Sequence, residues 1–155
     1  MAYHTAEICK MGHIITSHGM KNQKFCEKCG SEIIHNCPSC NSHIKGVERG
    51  DFDCISTLSL PNYCDNCGKP YPWTLEAKES LNELLKLSSE INSEDINFVD
   101  NNFDSLIVDT PKTKLLATKL NIMLSEATPV IADAARGLLV DVLSETAKKI
   151  MFPGL

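Results

Sequence analysis

The cysteines constrain this chain more than any other feature, because all eight lie within its first 67 residues. Six of them form three Cys-x-x-Cys pairs, each followed by Gly or Asn. A two-residue spacer lets both thiolates reach one tetrahedral ion, and Gly or Asn tolerates the left-handed backbone that closes such a turn. The spacing therefore predicts three zinc knuckles: Cys26-Glu-Lys-Cys29-Gly, Cys37-Pro-Ser-Cys40-Asn and Cys64-Asp-Asn-Cys67-Gly.

The N-terminal sequence bears on the redox environment of these cysteines. It lacks the charged segment and apolar stretch of a secretory signal. The most apolar stretch, residues 130–143, is interrupted by Asp133, Arg136 and Asp141, so no transmembrane segment is predicted. We therefore expect a soluble cytoplasmic protein with no membrane partner. In a reducing cytosol, paired cysteines bind metal more often than they form disulfides.

The number of ligands predicts a fourth half-site. Three pairs supply six ligands, whereas a closed structural zinc site takes four. The best additional pair is Cys9 and His13, which flank Gly12, and His18 is the alternative to His13. We therefore expect two structural zinc ions bound by eight ligands, namely Cys9, His13, Cys26, Cys29, Cys37, Cys40, Cys64 and Cys67.

Two pairings of the four half-sites are open. In sequential pairing, the first two half-sites share one ion and the last two share the other; in interleaved pairing, as in RING-type modules, they alternate. The segment between Cys29 and Cys37 is long enough to pass from one ribbon to the next, which favours sequential pairing. Cys54 lies outside any pair and is predicted to be a small buried side chain beside Phe52 and Ile55.

The two halves of the chain differ in composition. Residues 1–72 contain seven Lys or Arg and seven Asp or Glu, so the net charge of −5 falls in residues 73–155. A Cys-rich segment of this size cannot bury enough apolar surface to fold without a metal. The predicted fold class is a small zinc-stabilised β domain, a double zinc ribbon over residues 1–72, followed by an all-α segment of three to four helices over residues 73–155.

Capping signals predict where the helices begin. Thr74 and Ser93 are candidate caps of the first two helices, and Thr110-Pro111 and Thr128-Pro129 each place Pro at the first helical position. The last helix would be broadly apolar from Val130 to Met151, which leaves area for a partner or a second copy of the chain. In the connecting PYPW sequence, Tyr71 and Trp73 are expected to pack the last knuckle against the first helix.

Two stretches resemble known bacterial sequences. FCEKCGSEIIHNCPSC resembles the middle of a bacterial double zinc ribbon. PNYCDNCGKPYPWT, followed by SETAKK near the C-terminus, resembles a small bacterial family catalogued only as a domain of unknown function. The resemblance covers most of the chain. It implies metal at the positions above and brings no activity with it.

The motifs of common zinc enzymes are absent from the sequence. There is no His-Glu-x-x-His string, no zinc-deaminase signature and no phosphate-binding glycine loop. Cys37-Pro-Ser-Cys40 could be a redox dithiol, but it lacks the strand-to-helix context of thioredoxin motifs. We therefore expect a non-catalytic adaptor or scaffold that acts through protein–protein contacts, including self-association through the C-terminal helices; a zinc- or thiol-dependent enzyme is the third choice.

Nucleic-acid binding is the second choice. Several basic and aromatic residues of the first half could form one face, although thiolate ligands would bring the loaded half to a charge of about −3. Nucleic acid is therefore possible but not favoured as a partner. The candidate residues are Lys21, Lys24, Lys28, Lys45, Arg49, Phe25, Phe52 and Tyr63.

Overall fold

The computed structural model describes residues 2–50 and 58–154, and the chain divides into two compact units, Met1–Glu76 and Ala77–Leu155. The predicted fold class is confirmed, because small β-sheets with two Cys/His clusters precede a helical C-terminal half. Cys54, Phe52 and Ile55 lie outside the described residues.

The N-terminal unit contains very short strands. β1 and β5 form one antiparallel pair, and β2 lies between β3 and β4 in a second antiparallel sheet. No described strand exceeds four residues, so the sheets alone provide little stability. The strands are β1 (Tyr3–Thr5), β2 (Glu7–Cys9), β3 (Ile14–Thr16), β4 (Ile33–Ile34) and β5 (Lys45–Glu48).

Cysteines form a large part of the core of this unit. Cys9 and Cys26 pack with Ile33 in one buried cluster, and Cys37 and Cys64 belong to a second. The remaining buried members of the second cluster are Ala6, Ile8, Ile44, Tyr71 and Trp73. The core therefore depends on side chains that are polar as free thiolates and become compatible with burial when they bind a metal.

Tyr71 and Trp73 belong to the second buried cluster. They pack there with Cys64 of the last knuckle, as predicted from the PYPW sequence. Their rings stack with centroids 4.8 Å apart, and both residues are buried. The Trp73 indole Nε1–H donates a hydrogen bond of 2.8 Å to the Pro61 carbonyl. The single tryptophan of the chain is thus fixed within the metal-binding unit.

The second half of the chain contains more helices than the sequence predicts. Six helices lie in the described residues in place of three or four, and α4 contacts α2, α3, α5 and α6. None of these helices combines the length and apolarity needed to cross a bilayer. The helices are α1 (Pro72–Lys86), α2 (Ser93–Asn101), α3 (Asp104–Ile107), α4 (Thr113–Glu126), α5 (Pro129–Leu139) and α6 (Glu145–Met151).

The extra helices arise because two predicted helices are interrupted. Asn102 ends α2, and its side-chain amide donates to the Phe98 carbonyl at 2.8 Å. Ser144 begins α6 by accepting a hydrogen bond from the Ala147 N–H, while its own N–H donates to the Leu106 carbonyl at 2.9 Å. The predicted continuous apolar face from Val130 to Met151 is therefore wrong, and Val130 is 80% exposed.

Three of the four predicted helix starts need correction. α1 begins at Pro72, and the Thr74 hydroxyl, inside the helix, donates to the Asn62 carbonyl at 2.8 Å. Asn92, one residue before the predicted Ser93, caps α2. α4 begins at Thr113, because the Thr113 hydroxyl binds the Thr110 N–H at 2.8 Å ahead of the helix. The prediction at Thr128-Pro129 is right for α5.

Candidate metal centres

A tight turn after β2 positions the first two ligands. The Gly12 N–H donates to the Cys9 carbonyl at 2.8 Å, and the Cys9 N–H donates to the His13 carbonyl at 3.0 Å. Gly12 has a φ of +94°, which favours glycine at this position. The turn brings the His13 imidazole beside the Cys9 thiol, with 3.4 Å between Nδ1 and Sγ.

The three Cys-x-x-Cys knuckles share one backbone pattern. In each, the N–H of the residue four positions after the first cysteine donates to the carbonyl of that cysteine at 2.7 or 2.8 Å. The donors are Gly30, Asn41 and Gly68, with φ values of +75°, +62° and +74°. The left-handed backbone expected after each pair is therefore present.

The structure brings the eight candidate ligands together in two groups of four. Within each group the ligand atoms all lie within 4.8 Å of one another. The groups follow the sequential pairing, since the first two half-sites form one cluster and the last two form the other. Cluster 1 is Cys9, His13, Cys26 and Cys29, and cluster 2 is Cys37, Cys40, Cys64 and Cys67.

The separations between ligand atoms fit a tetrahedral ion. The Sγ atoms of Cys9 and Cys29 are 3.7 Å apart, as are those of Cys40 and Cys64. Two sulfurs bound tetrahedrally at about 2.3 Å lie about 3.8 Å from each other. None of the seven described cysteines forms a disulfide. Both clusters are therefore geometrically able to hold a metal ion of the zinc type.

Burial is distributed in the same way in the two clusters. In each, two cysteines are buried, one ligand is half-buried and one cysteine is exposed. The exposed members are Cys29 and Cys67, the second cysteines of their knuckles. Each site thus has one side in the protein core and the other side toward solvent.

Comparison with known proteins places the chain in a family. The model of a family described as an uncharacterised protein conserved in bacteria, DUF2321, matches residues 2–151. The chain belongs to this family. No curated protein and no solved structure matches it. The family resemblance stated from the sequence is therefore confirmed, and the cysteine clusters of this DUF2321 chain are compatible with zinc ribbons.

Hydroxyl groups near the thiols are part of the centres, and the sequence patterns did not predict them. The Ser42 hydroxyl lies 3.0 Å from the Cys40 Sγ and 3.4 Å from the Cys64 Sγ. Hydrogen bonds lower the pKa of Cys40 to about 6. The Ser42 hydroxyl has the largest effect, and the Asn66 side chain has the next largest. Cys40 is therefore favoured as the thiolate at neutral pH, the form that binds metal.

A serine occupies the same position in the first knuckle of the DUF2321 chain. Ser31 follows Cys29 by two residues, as Ser42 follows Cys40. A hydrogen bond from the Ser31 side chain lowers the pKa of Cys29 to about 6. The repeated sequence Cys-x-x-Cys-[Gly/Asn]-Ser could have identified both serines as supporting groups.

Two other sequence predictions concern residues outside the clusters. His18 belongs to neither cluster, and its Nδ1 lies 3.0 Å from the Ser17 hydroxyl. Lys45, proposed for a nucleic-acid face, instead pairs with Asp65 at 2.7 Å. His13 rather than His18 thus lies among the cysteines of cluster 1.

Substitution of Ser42 should weaken metal binding without removing a ligand. We expect Ser42→Ala to lower the affinity of cluster 2 about tenfold, because the substitution removes a donor shared by two thiolates. Competition with a chromophoric chelator measures the affinity. Ser39→Ala is a matched control, because the main-chain N–H of Ser39, rather than its hydroxyl, contacts the Cys37 Sγ. Equal affinities of the two variants would contradict the role given to Ser42.

Proposed function

We propose that this protein is a non-catalytic cytoplasmic adaptor in which two structural zinc ions stabilise the N-terminal unit and the helical unit contacts protein. The composition of the clusters supports the structural role. Each cluster already offers four ligands, whereas a catalytic zinc keeps a position open for water or substrate. Thiolate-rich ligand sets also favour a closed, electron-rich ion over a Lewis acid.

An exposed apolar face on α4 supports the proposal that the helical unit contacts protein. Leu115 and Ile122 are 58% and 56% exposed although both are large aliphatic residues. They lie two turns apart, so they project from the same side of the helix. Between and beside them is a groove of about 360 Å³, bordered by Lys119, Met123 and Glu126.

The occupant that best fits this groove is α4 of a second copy. A two-fold symmetric interface requires a surface that is complementary to itself, and α4 offers both a groove and two aliphatic side chains on one face. Lys112 and Lys114 lie at the start of α4 and Glu126 lies at its end. Antiparallel packing would place opposite charges next to each other at the two ends, and Lys119, at the centre, is paired with Asp95 of its own chain at 2.8 Å. The interface is small, which implies weak and reversible association.

Sedimentation velocity tests this proposal. With concentration rising from about 1 μM to about 1 mM, we expect the wild-type chain to pass from monomer to dimer. The double variant Leu115→Glu/Ile122→Glu should remain monomeric, because dimerisation would bury four carboxylates. Val130→Glu is the control, since Val130 is 80% exposed and does not line the groove. A wild-type chain that stays monomeric, or a double variant that still dimerises, would contradict self-association through α4.

A further inference from the structure

A buried carboxylate fixes the loop that leads into the first knuckle. Glu7, in β2, is 2% exposed. Its two carboxylate oxygens accept hydrogen bonds from the main-chain N–H groups of Lys21, at 3.0 Å, and Asn22, at 3.1 Å. Asn22 itself has a φ of +57°, a conformation that asparagine tolerates better than most residues. The loop is therefore held in one conformation before any ligand arrives.

This loop forms one wall of an open depression of about 410 Å³. That volume lies at the small end of the range for ligand sites. The opposite wall comes from the backbone bridge between Phe25 and Glu32 and from the start of β4. The residues that matter for binding are Asn22, Gln23, Lys24, Phe25, Ile33 and His35.

The chemistry of the depression combines an aromatic surface with amides and a cation. Phe25 is 62% exposed, the most exposed aromatic side chain among the described residues, although its backbone is fixed by the bridge to Glu32. Asn22 and Gln23 line the same site, and the Gln23 Nε2 donates to the Phe25 carbonyl at 2.7 Å, which leaves its Oε1 as an acceptor. This is the set of groups that binds a planar heterocycle: a ring face for stacking and amides for the polar edge.

The charges around the depression come from two carboxylates in its lining and from two lysines of the loop. Glu32 is paired with Lys10 at 2.7 Å, and Glu7 accepts the two main-chain hydrogen bonds described above, so both carboxylates are compensated in part. Within residues 2–50 and 58–154, Lys21 and Lys24 form no ion pair. Two ammonium groups are therefore available on the loop next to the exposed ring.

We propose that this depression binds an unpaired base of single-stranded nucleic acid. The base stacks on Phe25, the amides of Asn22 and Gln23 contact its polar edge, and the adjoining phosphates lie near Lys21 and Lys24. A paired base has both faces covered by its neighbours in the duplex, so it cannot stack on Phe25. The net charge of −5 further disfavours duplex binding, which relies on a broad basic surface.

Fluorescence anisotropy of the metal-loaded full chain tests the proposal. The probe is a labelled single-stranded DNA of about ten nucleotides at about 50 mM salt. We expect Phe25→Ala to weaken binding about tenfold or more and Phe25→Trp to preserve it, because an indole also stacks with bases. Lys24→Ala should weaken binding and lower the salt dependence by about one phosphate contact.

Three comparisons separate base stacking in the depression from general attraction of the strand to the protein surface. Met20→Ala removes a neighbouring side chain that is 51% exposed but outside the depression, and it should bind like the wild type. The matching duplex should bind at least about tenfold more weakly than the single strand. Free mononucleotide, at the same nucleotide concentration, should not displace the oligonucleotide.

The proposal would be overturned by an unaffected Phe25→Ala variant, by duplex that binds as well as the single strand, or by no binding at low salt. Displacement by free mononucleotide would assign the site to a small nucleotide instead of a strand. Equal metal content of all variants, and equal Trp73 emission of all except Phe25→Trp, which adds a second indole, verify that they are folded. Because the site lies within the N-terminal unit and the dimer test concerns α4, either proposal can fail without the other.

Discussion

Removal of metal should unfold the N-terminal unit and leave most of the helical structure in the C-terminal unit intact. Cys9, Cys26, Cys37 and Cys64 are buried in the N-terminal unit, and no described strand there exceeds four residues. Without an ion, these cysteines no longer connect turns that are distant in the sequence. Structural zinc contributes about 10–16 kcal/mol of apparent binding free energy in small zinc-dependent domains, which exceeds what such short strands supply.

Chelation with circular dichroism and Trp73 emission measures this effect. The emission should shift to longer wavelength, because Trp73 is buried with Cys37 and Cys64, while most of the helical signal remains. Native mass spectrometry should find two zinc ions in the wild type and in Cys54→Ser, whose cysteine lies outside the pairs. Cys64→Ser should lose the ion of cluster 2 and unfold the core around Trp73. A Cys64→Ser variant with full zinc content and normal melting would refute the assignment.

The substitution Gly46→Ala should also have a large effect. Gly46 lies in β5, which pairs with β1, and a Cβ at this position would collide with the Ser17 carbonyl and lie 2.9 Å from the His4 carbonyl. Both obstacles are main-chain atoms, and the Ser17 carbonyl also accepts the Val47 N–H at 2.9 Å. The strands must therefore separate. We expect the free energy of unfolding of the metal-loaded protein to fall by about 3 kcal/mol.

Urea unfolding followed by Trp73 emission measures the Gly46→Ala effect. The control is Gly137→Ala, because Gly137 lies in α5 with no atom near its would-be Cβ. Alanine there should slightly favour the helix, by about 0.5–1 kcal/mol. A Gly46→Ala variant that unfolds at the same urea concentration as the wild type would show that β5 does not pack as described.

The part of the site that could be predicted rests on covalent spacing. Cys26 and Cys29 are never more than about 11 Å apart and meet at one ion in any tight turn, so the sequence alone identifies the pair. The number of ligands then leads to Cys9 and His13, because a closed site needs four. The contact of Ser42 with Cys40 follows from the local repeat, whereas its contact with the Cys64 thiol, 22 residues away, cannot be found from the sequence.

The helix boundaries also depend on contacts between residues that are far apart in the sequence. Ser144 interrupts the last predicted helix partly because its N–H binds the carbonyl of Leu106, and Asp109 accepts the Thr146 N–H across 37 residues. Such partners are not visible in a local apolar pattern. A helix does follow Thr110-Pro111, but α4 begins only at Thr113. The Thr113 hydroxyl accepts a hydrogen bond from the Thr110 N–H ahead of the helix. Sequence patterns thus identified the elements better than their ends.

Trp73 lies close to parts of both metal centres. The Trp73 ring packs in the core with Cys37 and Cys64 of cluster 2. The Trp73 Cβ also lies beside Gly12, in the turn between Cys9 and His13 of cluster 1, because a Cβ added to Gly12 would be 3.1 Å from it. Order around either cluster therefore restricts the same side chain. Because such coupling is reciprocal, we expect the two ions to bind cooperatively, which a metal titration followed by Trp73 emission would measure.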